Sequence, residues 1–284
     1  VTVVNALGTL AGNATAVHLT GFVHPGGVAL DGTTIYVADP GANCVQRHAA
    51  GSPPPGTPGS TPPAGPTDTV YAAAANPIGQ CGNSGWQDGS ASAAQFGSAH
   101  GLVLSATSGT MYLADYNTQT IRAISQFGVV STLAGNGFWG TADGYGSDAR
   151  FSQPISVTAD DHGMVYVADY ANERFRRINS ATGLVETLLH SEGLGADKRA
   201  DSVLVSPDGN TLYVAEREGL VRGYSLRTLS ATLTPNYIKA DSALRLFLTA
   251  GSSATPGSAL GATPSLLQPY GMAFDTQSAD IFVV

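Results

Sequence analysis

The stretch Asp143-Gly144-Tyr145-Gly146-Ser147-Asp148-Ala149-Arg150-Phe151, followed by Val165-Tyr166-Val167-Ala168-Asp169, decides the fold because the chain writes it twice. The earlier copy carries Asp88-Gly89, Ala94, Phe96 and Tyr112-Leu113-Ala114-Asp115. Phe follows Asp by eight residues in both copies, and Tyr follows Asp by 24 and then by 23. Self-similarity on this scale is the mark of an architecture built from stacked units.

Working outward, the aromatic run recurs at 35–39, 111–115, 165–169, 212–216 and 281–284. Its aromatic anchors stand at 36, 112, 166, 213 and 282. These runs are β-branched and aromatic, the composition of strands, and no helical period competes with them. Each follows another apolar run, at 27–31, 101–105, 155–160, 202–206 and 271–275. Turns such as Asp161-His162-Gly163 and Pro207-Asp208-Gly209-Asn210 join the two. A third strand is expected at 120–125 and 174–178, and a fourth at 129–134 and 244–250. Four short antiparallel strands per unit describe a blade. The expectation is an all-β chain forming one β-propeller over residues 1–284, with five inner strands visible.

Leu133-Ala134-Gly135, Asp143-Gly144, Phe151-Ser152-Gln153-Pro154 and 165–169, followed by Asn172, Arg174 and Arg176, resemble the NHL repeat. The resemblance covers nearly the whole chain, is strongest over 128–190 and is poorest in the blade ending near Tyr224. It implies six blades. Residues 1–10 with Ala11-Gly12 match 129–134 with Gly135, so the N-terminal strand is expected to close the last blade. Since the chain stops inside an anchor strand at Val284, the natural protein is expected to continue. Two insertions break the repeat, a Pro-rich one at 49–67 and another at 226–243. Both leave a blade between its third and fourth strands and are expected on one face of the outer ring.

Hydrophobic residues make up 43% of the 284, enough for a substantial core. Charged residues are only 12%, about half the usual share of roughly 25%. The net charge is -8, from 21 acids against 13 bases, and Lys198 and Lys239 are the two lysines. A phosphate-binding surface needs clustered Lys and Arg, so neither nucleic acid nor an anionic membrane surface is an expected partner. No apolar run approaches the roughly 20 residues that span a bilayer, so no membrane insertion is expected within this segment.

Asp39, Asp115, Asp169 and Glu216 each close an anchor strand. A carboxylate repeated in every blade is expected to accept N–H groups of the following turn. Asp88 and Asp143 are read as turn residues. Arg174, Arg176 and Arg177, close to Glu173, are read as a solvated face or an inter-blade pairing. One NHL-like lyase class holds zinc with histidines of the inner strands. Here only His100 takes such a position; Gly26, Ile155, Ser202 and Tyr270 stand at the equivalent places. One ligand makes no zinc site, so His100 is read as a channel-lining residue, with no catalytic residue, metal or cofactor expected.

Cys44 and Cys81 flank the Pro-rich insertion. A bond between them would clamp it and imply an oxidising compartment; two separate buried thiols are the alternative, and sequence alone does not fix pairing. Asn13-Ala14-Thr15 is an N-glycosylation sequon. Ser52, Pro53, Pro54, Pro55, Thr57, Pro58, Ser60, Thr61, Pro62 and Pro63 form a tract like those that carry O-linked sugar in matrix and wall proteins. The expected function is a non-catalytic extracellular or cell-surface scaffold whose partners are other protein chains, in a coat, matrix or filament. The alternatives are a lactonase- or lyase-like enzyme working on the channel face and completed beyond Val284, and an intracellular NHL scaffold.

Overall fold

The computed structural model describes residues 22–31, 34–49, 76–190, 200–206, 208–216 and 220–226. It also describes the strands Thr2–Val4, Ala16–Leu19, Thr69–Tyr71, Leu246–Ala250, Met272–Phe274 and Ile281–Val283. Blade two is an antiparallel sheet of Ala99–Leu104, Met111–Asp115, Thr120–Ile124 and Val130–Ala134, in that order outward. Blade three follows with Pro154–Ala159, Met164–Asp169, Arg174–Asn179 and Leu184–His190. Blade four is Ala200–Val205, Thr211–Glu216, Leu220–Ser225 and Leu246–Ala250. Blade one holds Val28–Asp31, Thr34–Asp39 and Cys44–Ala49, with Ile78 bridged to Val45 on the outside. Met272–Phe274 and Ile281–Val283 pair as a further hairpin. Among the described residues the helical segments are two single turns, Gly146–Asp148 and Tyr170–Asn172. The chain is a β-propeller.

The anchor strands show why the repeat is apolar without alternation. Met111 and Leu113 pack toward blade one, while Tyr112 and Ala114 pack toward blade three. Val165 and Val167 likewise face blade two, and Tyr166 and Ala168 face blade four. Successive side chains of a strand point to opposite faces, so a strand buried on both faces reads as a continuous apolar run. The three hydrophobic clusters therefore lie between neighbouring blades. Phe96 and Phe151, the aromatics of the repeat, are fully buried in the first two of these seams.

Toward the axis the blades must converge, and the side chains shrink to allow it. A Cβ on Gly27 would stand 2.3 Å from the Leu102 nitrogen, and one on Gly101 would stand 2.7 Å from the Ser156 Cα. Gly27 N donates to the His100 carbonyl at 2.8 Å, so neighbouring inner strands are joined backbone to backbone here. Ser156 and Ser202 continue the series of small residues, with hydroxyls 3.5 Å apart.

Several expectations change. The N-terminal strand was expected to close the last blade. Instead Thr2–Val4 pairs antiparallel with Ala16–Leu19, which pairs parallel with Thr69–Tyr71. A partner a short loop away costs far less closure entropy than one at the other end of the chain. Apart from Ala49 and Leu226, both insertions (49–67 and 226–243) lie outside the described residues. Ala49 ends a strand and Leu226 is buried in the seam between blades three and four, so neither belongs to an insertion. Asn13 and the tract from Ser52 to Pro63 also lie outside the described residues.

Because the atom facing Gly101 is backbone, Gly101→Ala should lower stability by about 1–3 kcal/mol. The urea midpoint measures this; an unchanged midpoint would mean the inner strands are not held at this separation.

Candidate functional site

The acids of the repeat meet a buried arginine. In blade two Arg122, from the third strand, donates through Nη2 to Asp88 Oδ1 at 2.6 Å and through Nη1 to Asp115 Oδ2 at 3.2 Å. Nη1 also donates to the Gln95 carbonyl and Nη2 to the Gln87 carbonyl, both at 3.0 Å. Blade three repeats the arrangement. Arg176 reaches Asp143 at 2.6 Å and Asp169 at 2.9 Å, with the carbonyls of Arg150 and Ala142 at 3.0 and 2.9 Å. Each guanidinium also lies 5.2 Å from the ring centre of the repeat phenylalanine, Phe96 or Phe151. Both arginine side chains have no exposed surface, while Asp88 and Asp143 are half exposed. The outer acids complete their shells with a threonine of the fourth strand. Thr132 donates N–H and hydroxyl to Asp88, and Thr187 does the same for Asp143.

The inner acids fasten the turn before the inner strand rather than only the turn after the anchor. Asp115 accepts the N–H groups of Gly97 and Ser98, and Asp169 that of Ser152. Asp39 accepts from Val23, His24 and, in the following turn, Ala42. Asp39, Asp115 and Asp169 accept backbone N–H groups, chiefly from the turn before the inner strand because the anchor strand ends beside the entry to its own blade, while the side chain of Glu216 lies outside those described. In blade one Gln46 stands where the arginine stands and donates to Asp39 at 2.9 Å. In blade four the same register, opposite Val214, again holds an arginine, Arg222, which follows Glu216 by six residues rather than seven because the connection between the two strands is one residue shorter. Burial pushes the carboxyls of Asp115 and Asp169 up, opposed by the arginine and the N–H donors.

The three arginines read as one face part company. Arg176 is the clamp, Arg177 pairs with Glu186 across the sheet at 2.6 Å, and Arg174 donates to the Thr141 carbonyl at 3.3 Å. Sequence reading missed Arg122 as a partner, although both clamp arginines follow the anchor acid by seven residues.

At the inner rim, His100 lies in a bulge of the first strand, between the pairs Ala99–Asp115 and Leu102–Leu113. Its ring stacks on Tyr116 with centres 4.8 Å apart. Burial drives the imidazole from 6.5 down to about 4. Ile155 occupies the same bulge in blade three and Asp201 in blade four. Asp201, not Ser202, is therefore the equivalent of His100. The bulge inserts one residue, and counting along an unbulged strand misses it. Among the described residues no three His, Cys, Asp or Glu side chains group to hold a metal.

Cys44 and Cys81 are disulfide-bonded. Cys44 begins the third strand of blade one, and Cys81 lies in the segment that leads to Asp88. Among the described residues no helix is long and apolar enough to cross a membrane.

No protein-family model matches the chain, and no curated protein matches it. Similar solved structures include a structural-genomics protein of unknown function from Bacteroides thetaiotaomicron, 18% identical, with a TM-score of 0.49. The match covers 71% of this chain and 47% of that one. Another is a chain of a nidogen–laminin complex, 16% identical, with a TM-score of 0.48, covering 73% of this chain and 61% of that one. Likeness at this level says nothing of activity or partner.

Arg122→Met leaves Asp115 buried without its cation and should cost about 3–5 kcal/mol. Arg122→Gln, which copies blade one, should cost less; equal urea midpoints for the two variants would contradict the clamp. The folded chain keeps His100 neutral down to about pH 4, while the unfolded chain protonates it near 6.5. Its contribution to stability is whole above pH 6.5 and is lost as pH falls through 4. In urea titrations at several pH values, His100→Gln should flatten the loss over that interval relative to the parent protein.

Proposed function

We propose that this chain is an NHL-type β-propeller acting as a non-catalytic, extracellular interaction module for assembly with other protein chains. The observation that carries the reading is a division of labour among its side chains. Among the described residues the repeated acids, the groups a hydrolase would use, are engaged: Asp88, Asp115, Asp143 and Asp169 by a guanidinium and N–H donors, and Asp39 by N–H donors and the Gln46 amide. The large aromatics that the seams do not need are on the surface: Phe127 is 84% exposed and Trp139 is 77% exposed, with Phe138 and Tyr145 also exposed. Exposed aromatic side chains gain most from being covered by a partner. The disulfide supports an oxidising compartment. Sugar on Asn13 or on the tract from Ser52 to Pro63 would fit a coat, matrix or filament.

A channel-face enzyme is favoured by one observation, the neutral His100 on its bulge. Sedimentation velocity over a range of concentrations tests the assembly reading, alongside peptide masses of native protein with and without reductant. The expected outcome is concentration-dependent association, weakened by Phe138→Ser with Trp139→Ser, together with a Cys44–Cys81 linked peptide and glycosylated peptides. A monomer at every concentration with hydrolase or lyase activity lost in His100→Ala would replace the reading with the enzyme.

A further inference from the structure

Beyond the clamps, a cleft of about 450 Å³ opens on the outer rim between blades two and three. Trp86, Asp88 and Thr132 line it from blade two, and Asn136, Gly146 and Ser147 line it from the segment entering blade three. We infer that this cleft is a binding site for a neutral carbohydrate, with Trp86 as the platform on which a sugar ring stacks.

The fold does not require Trp86. Two residues before the repeat Asp, blade three has Thr141, and the clamp there closes with the same partners at nearly the same distances. Yet the half-exposed indole is held in place. Its Nε1 donates to Thr132 Oγ1 at 3.1 Å. Gly137, at φ 84°, lies so close that a Cβ there would stand 2.6 Å from Trp86 Cζ3. An aromatic ring fixed against a cleft of this size, with its rotamer already selected, is preorganised for a ligand.

The chemistry of the walls selects the ligand. Asp88 is the one charged side chain of the lining, and both its oxygens already accept hydrogen bonds, Oδ1 from Arg122 and the Thr132 hydroxyl and Oδ2 from the Thr132 N–H. An anion meets no cation there, and a cation meets a carboxylate already satisfied. A polyproline peptide docks on aromatic grooves, but the indole N–H that would bind its carbonyl is already donated to Thr132. What remains is a ring face beside the exposed Ser147 hydroxyl and the Asn136 carboxamide. That carboxamide donates one N–H to the Ser147 carbonyl at 2.8 Å and retains another. One apolar face with hydroxyl and amide groups around it matches a pyranose.

The chain has two tryptophans, so Trp139→Phe leaves Trp86 as the sole indole fluorophore. That protein would be titrated with cellotetraose, chitotetraose, laminaritetraose and mannotetraose, and with a synthetic peptide of residues 52–63. The expected result is a saturable change in Trp86 emission with at least one tetrasaccharide, and protection of Trp86 from acrylamide quenching. Calorimetry on Trp86→Thr, which copies blade three, should show affinity falling at least tenfold without a change in Tm. Emission unchanged by every tetrasaccharide at millimolar concentration would overturn the proposal. So would a response to the peptide alone, or saccharide affinity unaltered in Trp86→Thr. The quenching measurement needs no substitution at Trp86, so it decides the matter even if that variant fails to fold. Neither measurement depends on whether the chain assembles with other proteins.

Discussion

A guanidinium with no contact with water is tolerable only if its charge is answered from more than one side, and two blades of this propeller are organised around that requirement. Arg122 and Arg176 each take an acid from the end of the anchor strand and another from the segment that precedes the blade. Desolvating such ions is costly, and a buried pair is often no more stabilising than an apolar replacement. What the arrangement supplies is uniqueness. Shifting the third strand by one residue would turn the arginine to the opposite face, away from both acids. The clamp fixes the register of three strands and the path of the incoming chain, and through them the location of Phe96 and Phe151 in the seams.

The seams and the axis impose the complementary constraint. Blades joined by buried apolar faces can slide; blades that also touch backbone to backbone at Gly27 and Gly101 cannot. The disulfide adds a covalent tie between blade one and the segment that carries Asp88 into blade two. The rim can then display aromatic side chains without contributing to the fold's integrity, which is why Trp86 can differ from Thr141 while the frame stays the same.

Much of this was legible from the residues. The doubled run from Asp-Gly to the anchor acid placed the strands of blades two and three within a residue or two, because both faces of each strand are buried and the apolar pattern is unbroken. The weakness of blade four was visible around Tyr224, and its physical reason is a shorter connection: Glu216 pairs with Leu220 four residues on, where Asp115 pairs with Thr120 five residues on, so Arg222 falls out of step with the repeat. The clamp arginines were harder to read. In a list of neighbours, Arg176 looks like one of three surface charges, and only the register separates it from Arg174 and Arg177. Asp201 was missed because a bulge inserts a residue that no composition announces. The rim cleft could not be read at all, since Trp86 and Asn136 are brought together by the turn between two blades.

The Asp-Gly segment meets the outermost strand of the blade it introduces. Gly89 is bridged to Val130, and Gly144 pairs with Val185. The chain therefore touches the outside of a blade before building its inside, and the last strand laid down returns to the first residues of the unit. Each such blade is a closed loop of chain whose contacts are local along the sequence. Loops of that kind close quickly and need no distant partner. A propeller assembled from them can acquire its blades one at a time as the chain emerges, each complete before the next begins.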